Sequence, residues 1–306
     1  MTDATGAIVV GVDGSALALR AVRWAAAEAA PRALPLHLMF GFDATFAFHG
    51  ADPTPLQRLF DRLGSYAQDQ LSEAERIAHE VGPDLVVTTS QPQQRPIPAL
   101  LEASKTARMI ALGPSGVGGF AGMLAGSTTM AVAGRAHCPV VVVRGRADES
   151  VPAEGPVVVG VDGSRASEGA VAVAFDEAAW RGVPLVAVHS WSDADYVSTL
   201  PFEDVLMEYV PMEQESAQEE QRGLLSESLA GWQEKYPDVR VDRVVTKDRP
   251  RHHLLDWSGR AQLVIVGSRG RGGFLGLLLG SVGQALIHHA QCPVMIVHSE
   301  STEAKG

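Results

Sequence analysis

Two short motifs in this chain could do chemistry, and each occurs twice. Gly-Val-Asp-Gly-Ser at residues 11–15, carrying Gly11 and Asp13, returns at 160–164 with Gly160 and Asp162, an offset of 149. Gly113-x2-Gly116-x9-Gly126-Ser127 returns as Gly267-x2-Gly270-x9-Gly280-Ser281, an offset of 154. Residues without side chains let a backbone approach a ligand closely and present successive N–H groups as an anion-binding concavity. Ser127 and Ser281 fall where helices are expected to start, so their hydroxyls stand where the helix dipole already favours negative charge. These are the parts needed to hold a phosphate chain without many cations.

Two common phosphate motifs are excluded. A Walker A loop needs Gly-Lys-Ser/Thr, but the only lysines are Lys105, Lys235, Lys247 and Lys305, and none follows a glycine. A dinucleotide fingerprint should follow the first strand of its unit. Here that place is taken by Val-Asp-Gly-Ser, and the glycine-rich segment comes much later.

The elements that must position these motifs also repeat. Residues 8–12, 36–40, 85–89, 109–112 and 140–143 are short apolar runs that read as strands buried on both faces. Between them, helical spacing predicts helices from Ala16 to Pro31, over about 56–81, from Pro96 to Ser104 and from Ser127 onward. The second copy repeats this order with strands at 157–161, 185–188, 239–246, 263–266 and 294–297. Alternating strands and helices imply right-handed crossovers and a parallel sheet covered on both faces. The chain is thus expected to be α/β, with two tandem open parallel five-stranded sheets, over residues 1–146 and 155–300. A repeat near 150 residues fits a duplicated domain and is far too long for a solenoid unit of ~20–50 residues. Both motifs fall at the carboxyl ends of strands, where open α/β sheets bind ligands.

Composition narrows the function classes. Hydrophobic residues make up 46% and charged ones 20% of the 306, an ordinary globular balance. The net charge of −11 argues against a nucleic-acid partner, since polymeric phosphate needs a positive face. The stretch 109–134 carries no charged residue but holds too many glycines for a lipid-spanning helix. No targeting segment is visible, so the cytoplasm is the default expectation. Cys138 and Cys292, each before Pro-Val, read as buried apolar residues that open a strand. His252-His253 and His288-His289 are adjacent pairs that rarely face one ion, and no carboxylate or cysteine stands at ligand spacing, so no metal site is expected. Trp24, Trp180, Trp191, Trp232 and Trp257 read as core or interface residues. The acidic cluster Glu203, Asp204, Glu208, Glu213, Glu215, Glu219 and Glu220 reads as a solvated helix face and loop.

The arrangement resembles the universal stress protein family in its tandem, ATP-binding form, and the resemblance spans nearly the whole chain. It rests on Asp13 and Asp162 after the first strands, on the two glycine segments and on the Pro-Val strand closing each copy. What it implies is an adenine nucleotide alpha hydrolase-like fold with ATP, alone or with Mg, in each domain. Asp13 and Asp162 would lie against the adenine. The backbones of Gly113, Pro114, Ser115, Gly116, Val117, Gly118 and Gly119, and of Gly267, Ser268, Arg269, Gly270, Arg271, Gly272 and Gly273, would wrap ribose and phosphates. Gly126-Ser127 and Gly280-Ser281-Val282 would hold the terminal phosphates. Asp193 would take ribose hydroxyls, with Asp43 its nearest counterpart in the first copy. The resemblance also implies a regulatory role in stress or growth, an unidentified protein partner and pairing of the terminal strands, within the chain or in a homodimer. A slow ATP hydrolase or nucleotidyl transferase, and a nucleotide-free scaffold, remain as alternatives. No residue beyond Arg269 and Arg271 suggests an arginine finger, and none suggests a general base.

The copies differ where it matters. Pro114 removes one N–H from the first cradle, and Ser115 and Val117 stand where the second copy has Arg269 and Arg271. The second site is therefore expected to bind nucleotide more tightly. ATP titrations of Gly126→Val and Gly280→Val variants check this: the greater loss is expected from Gly280→Val, and a greater loss from Gly126→Val contradicts it.

Overall fold

The computed structural model describes residues 4–41, 53–116, 125–144, 154–191, 214–247, 249–270 and 278–298, with main chain alone at 53–60 and 214–217. Contacts divide the chain into two units, Met1–Val151 with Pro293–Gly306, and Pro152–Cys292.

In the first unit, β1 (Ile8–Gly11), β2 (Leu36–Met39), β3 (Val87–Ser90), β4 (Met109–Leu112) and β5 (Val140–Val142) lie in the order β3-β2-β1-β4-β5, all parallel. The apolar content of β1, β2, β4 and β5 fits strands covered on both faces, and these four are almost wholly buried, whereas the edge strand β3, Val-Thr-Thr-Ser, is partly exposed. Helices α1 (Ala16–Ala29), α2 (Pro53–Val81), α3 (Pro96–Ala103) and α4 (Ser127–Arg135) connect them. The chain moves one way along the sheet through β1, β2 and β3, then returns to β4 and moves the other way to β5. Right-handed crossovers then place α1 and α2 on one face and α3 and α4 on the other, and each pair packs together.

The second unit repeats the scheme with β6 (Val157–Val161), β7 (Leu185–Trp191), β8 (Val241–Lys247) and β9 (Leu263–Gly267), in the parallel order β8-β7-β6-β9. Its helices are α5 (Arg165–Arg181), α6 (Gln214–Lys235), α7 (Pro250–Ser258) and α8 (Ser281–His289). Phe175 of α5 is fully buried, between the sheet and the rings of Trp232 and Tyr236.

The last strand makes the pairing of terminal strands that the resemblance implied, and makes it antiparallel. β10 (Val294–Val297) runs antiparallel to β5, with Val294 opposite Val142 and Ile296 opposite Val140, and it is counted with the first unit. One edge of β5 pairs with β4 and the other with β10, so of the two pairings left open by the sequence, this chain uses the one within itself. His298, just past β10, places Nε2 3.0 Å from the Ala133 carbonyl of α4.

Several strands shift at their ends, β8 to Val241–Lys247 among them, and β3 and β7 show why. Leu85 is drawn back into a turn, its N–H donating to the Gly82 carbonyl at 3.1 Å, so β3 begins at Val87. β7 continues three residues past Val188 to Trp191, pairing with β8 as far as Trp191 opposite Lys247. Among the described residues no helix is long and apolar enough to cross a membrane. Glu219 and Glu220 of the acidic cluster are exposed, and Glu203, Asp204, Glu208 and Glu213 lie outside the described residues.

Both cysteines are buried free thiols opening their strands. Burial pushes the Cys292 thiol up to about 12, because a thiolate there would lose its hydration. At pH 8 the thiol therefore stays protonated and inert. Iodoacetamide should leave Cys292 unmodified in the native protein and alkylate it once urea unfolds the chain; rapid native alkylation contradicts this placement.

Candidate functional site

In each unit the strand order reverses direction between the first strand and its neighbour on the far side, β1 and β4 in one, β6 and β9 in the other. Such switch points leave a crevice beyond the carboxyl ends of the strands. A cavity of about 450 Å³ opens at the first and one of about 480 Å³ at the second. Both lie within the range of small-molecule sites, roughly 300–1,000 Å³.

The turn after the first strand is built identically in both copies. Oδ1 of Asp13 accepts the Ser15 N–H at 2.9 Å, and Oδ1 of Asp162 accepts the Ser164 N–H at 3.0 Å. Between them Gly14 and Gly163 take left-handed φ values of 85° and 73°, which a side chain would strain. Ser15 and Ser164 then cap α1 and α5 by accepting the N–H of Ala18 and of Ser167, at 3.1 and 3.2 Å. Each carboxylate thus spends one oxygen on its own turn. The other, Oδ2, lies against the Cα of Gly116 or Gly270 so closely that an added Cβ would overlap it. Both aspartates line their cavities.

The glycine segments are tied at their bases. The Gly126 N–H donates to the Pro114 carbonyl at 2.7 Å, and the Gly280 N–H to the Ser268 carbonyl at 2.8 Å. Gly126 and Gly280 then start α4 and α8 with no side-chain cap, leaving first-turn amides unsatisfied beside each cavity. Buried Thr129 fixes α4 to the strand end by donating its hydroxyl to the Gly113 carbonyl at 2.9 Å. Gly113 and Gly267 themselves abut helix backbone, where a Cβ would come within 2.9 Å of Leu17 C and 2.8 Å of Ala166 C. Part of each glycine pattern therefore serves packing.

Of the expected site residues, Gly11, Asp13, Gly113, Ser115, Gly116, Gly126 and Ser127 line the first cavity. Gly160, Asp162, Gly267, Arg269, Gly270, Gly280, Ser281 and Val282 line the second. Pro114 and Ser268 are not among the lining residues and act through their carbonyls, so the N–H missing at Pro114 lies behind the wall. Arg269, opposite in kind to Ser115, keeps the argument for unequal sites. Val117, Gly118, Gly119, Arg271, Gly272, Gly273, Asp43 and Asp193 lie outside the described residues.

Sequence reasoning missed most of the side walls. Met39, Gly41, Pro96, Leu100 and Thr128 are among the further residues lining the first cavity, and Ser167, His189, Trp191, Gln221 and Leu254 among those lining the second. His189 is buried, with Nδ1 2.8 Å from the Val161 carbonyl and Nε2 3.0 Å from Gln221 Oε1. Trp191, read as core or interface, is a wall residue of the second cavity. The readable signal was the offset of 149, which sets Phe40 against His189 and Ala18 against Ser167. One expectation about the histidines needs correction: Asp256 stands one helical turn from His252, and its Oδ2 lies 3.5 Å from Nε2. The pair is exposed, and the described residues hold no group of three or more ligands placed for a metal ion.

The fold and its two cavities define a doubly wound α/β protein with a duplicated crevice of small-ligand size. The profile of the universal stress protein family matches residues 5–144 and again residues 155–298. Universal stress protein Rv2005c of Mycobacterium tuberculosis is 43% identical over 299 residues, covering 94% of this chain and 96% of its own. Universal stress protein Rv2623 of the same organism is 42% identical over 301 residues, covering 96% and 97%. A crystal structure of a universal stress protein from Archaeoglobus fulgidus shares the fold, with a TM-score of 0.68 at 17% identity over 95% of this chain and 96% of that one. This chain belongs to the universal stress protein family and carries two of its domains in tandem.

The contact between carboxylate and glycine can be broken without straining the backbone, because neither Gly116 nor Gly270 has a positive φ. Gly270→Ala should rotate Asp162 away from the loop in a crystal structure, while unfolding free energy changes by less than about 1 kcal/mol, as at other solvent-facing sites. An unmoved carboxylate contradicts the packing described.

Proposed function

We propose that this protein binds ATP, one molecule in each repeat, and that occupancy regulates a stress or growth response in the cytoplasm. The observation that carries the reading is convergence at both switch points. A carboxylate, an uncapped helix N-terminus and the base of a glycine segment meet around a cavity of nucleotide-sized volume. Free amides at α4 and α8 suit phosphate oxygens in a protein whose net charge is −11. The aspartate end is an acceptor suited to an exocyclic amine. Mg in this reading is brought by the triphosphate and held through its phosphates. A homodimer through the terminal strands finds no free edge on β5, so the reading favours pairing within one chain.

The test is release of bound ligand. Protein purified natively, then denatured, should yield an adenine nucleotide by mass spectrometry, at up to two per chain. Stripped protein should regain thermal stability on ATP addition, about 2.7 kcal/mol at a hundredfold excess over Kd for each site. Protein that carries no nucleotide and shows no thermal shift is a scaffold.

A further inference from the structure

The second cavity holds a carboxamide that the protein uses at one end only. Gln221 of α6 is 8% exposed and lines this cavity. Its neighbours Glu220 and Arg222 are exposed, so Gln221 stands on the inward face of the helix. One end of its carboxamide meets His189 Nε2 at 3.0 Å, and His189 Nδ1 meets the Val161 carbonyl at 2.8 Å. The other end has no hydrogen-bond partner among the described residues, yet it keeps accessible surface, unlike the enclosed indole nitrogen of Trp191.

The chain of bonds fixes which end faces the cavity. A carbonyl only accepts, so Nδ1 of His189 carries a proton, and in the neutral imidazole Nε2 is then an acceptor. An acceptor is matched by the amide nitrogen of Gln221 and not by its oxygen. The two ends of a carboxamide occupy nearly the same space, and the hydrogen-bond network assigns them. The amide nitrogen therefore donates to His189, and the oxygen takes the unpartnered place at the cavity.

We propose that Gln221 determines the specificity of the second site by accepting, through its carboxamide oxygen, a hydrogen bond from the base or ribose of a bound nucleotide. His189 is the positioning residue that turns the oxygen toward the ligand. The inference rests on the nucleotide reading above and goes beyond it by assigning the polarity of one end of one cavity: the ligand group there must donate. Position selects the base-and-sugar end. α6 packs against β7 and β8, on one side of β6, whereas the loop after β9 and the first-turn amides of α8, suited to phosphates, lie on the other. The donors a nucleotide offers at that end are the exocyclic amine and the ribose hydroxyls.

The first copy lacks this relay. By the offset of 149, His189 corresponds to Phe40, whose ring meets Tyr66 edge-on at 6.1 Å and has no nitrogen to orient a carboxamide. The duplicated strand end is aromatic and apolar in one copy and hydrogen-bonding in the other. The second site is therefore the discriminating one.

The experiment uses full-length protein carrying Gly126→Val, which weakens the first site, as the parent. Dissociation constants are measured at pH 8 for ATP and for analogues that each lack one donor: 2′-deoxy-ATP, 3′-deoxy-ATP and purine riboside triphosphate, which has no exocyclic amine. Gln221→Met should weaken ATP about three- to tenfold, the worth of one neutral hydrogen bond. The analogue without the matched donor should already be weak in the parent and lose nothing more in this variant. Gln221→Glu keeps an oxygen at the cavity, so it should keep the parent's ranking of the ligands. His189→Phe should flatten that ranking, because the carboxamide can then present either end. Unchanged ATP affinity in Gln221→Met, or an equal loss for every ligand as lost packing would give, overturns the inference and leaves the nucleotide reading standing. ATP binding that Gly126→Val abolishes does the same, since all of it then belongs to the first site. Absence of ATP binding in the unmutated protein overturns both. A readout without mutation is the nitrogen resonances of His189, expected to show the proton on Nδ1; a neutral ring protonated on Nε2 overturns the proposal.

Discussion

Each cavity depends on a contact that only a residue without a side chain allows. One oxygen of Asp13 or Asp162 is committed to the turn that starts the first helix, which fixes the direction of the other. That second oxygen lies where Gly116 or Gly270 passes. The strand-end turn and the glycine loop are therefore set relative to each other by a carboxylate resting on bare backbone. The hydrogen bond closing each loop base, Gly126 to Pro114 or Gly280 to Ser268, then brings the free amides of the following helix to the same crevice. Remove the carboxylate or fill the glycine, and the loop loses the surface against which it is set.

Duplication kept this skeleton and changed what covers it. Ala18 becomes Ser167, Ser115 becomes Arg269, Thr128 becomes Val282 and Phe40 becomes His189 at matching positions. The first cavity places its polar side chains near the α4 N-terminus, at Ser127, Thr128 and Thr129. The second moves polarity to the strand side, at His189, Gln221 and Trp191, and adds one guanidinium. Backbone amides and helix ends supply the positive potential common to both, and the phosphate-binding proposal rests on them rather than on cationic side chains.

The sheet-and-helix order was legible because its inner strands are buried on both faces and its helix starts carry Ser15, Ser164 and Pro96, signals that act over a few residues. The edge strands β3 and β8, expected to be buried too, stay partly exposed because each has a neighbour on one side only. What failed was where local pattern and tertiary contact disagree. His189 and Ser190 interrupt an apolar run, and the expected strand stopped at Val188. They are strand because β8 continues alongside and the imidazole finds the Val161 carbonyl and Gln221. Leu85 read as strand, yet the Pro83-Asp84 turn takes it. The glycine spacing located both cavities, while the side walls escaped notice because Met39, Leu100 and Leu254 look like any core residue until the fold places them at a crevice. The antiparallel partner of β5 lies at the far end of the sequence; the family resemblance, not a local pattern, points to pairing of the terminal strands.

The most direct measurement is a crystal structure of the full chain soaked with ATP. The account predicts triphosphate density against the first turns of α4 and α8, with the base beside Asp13 and Asp162. Density bound elsewhere on the molecule, or both crevices filled by protein after the soak, contradicts it.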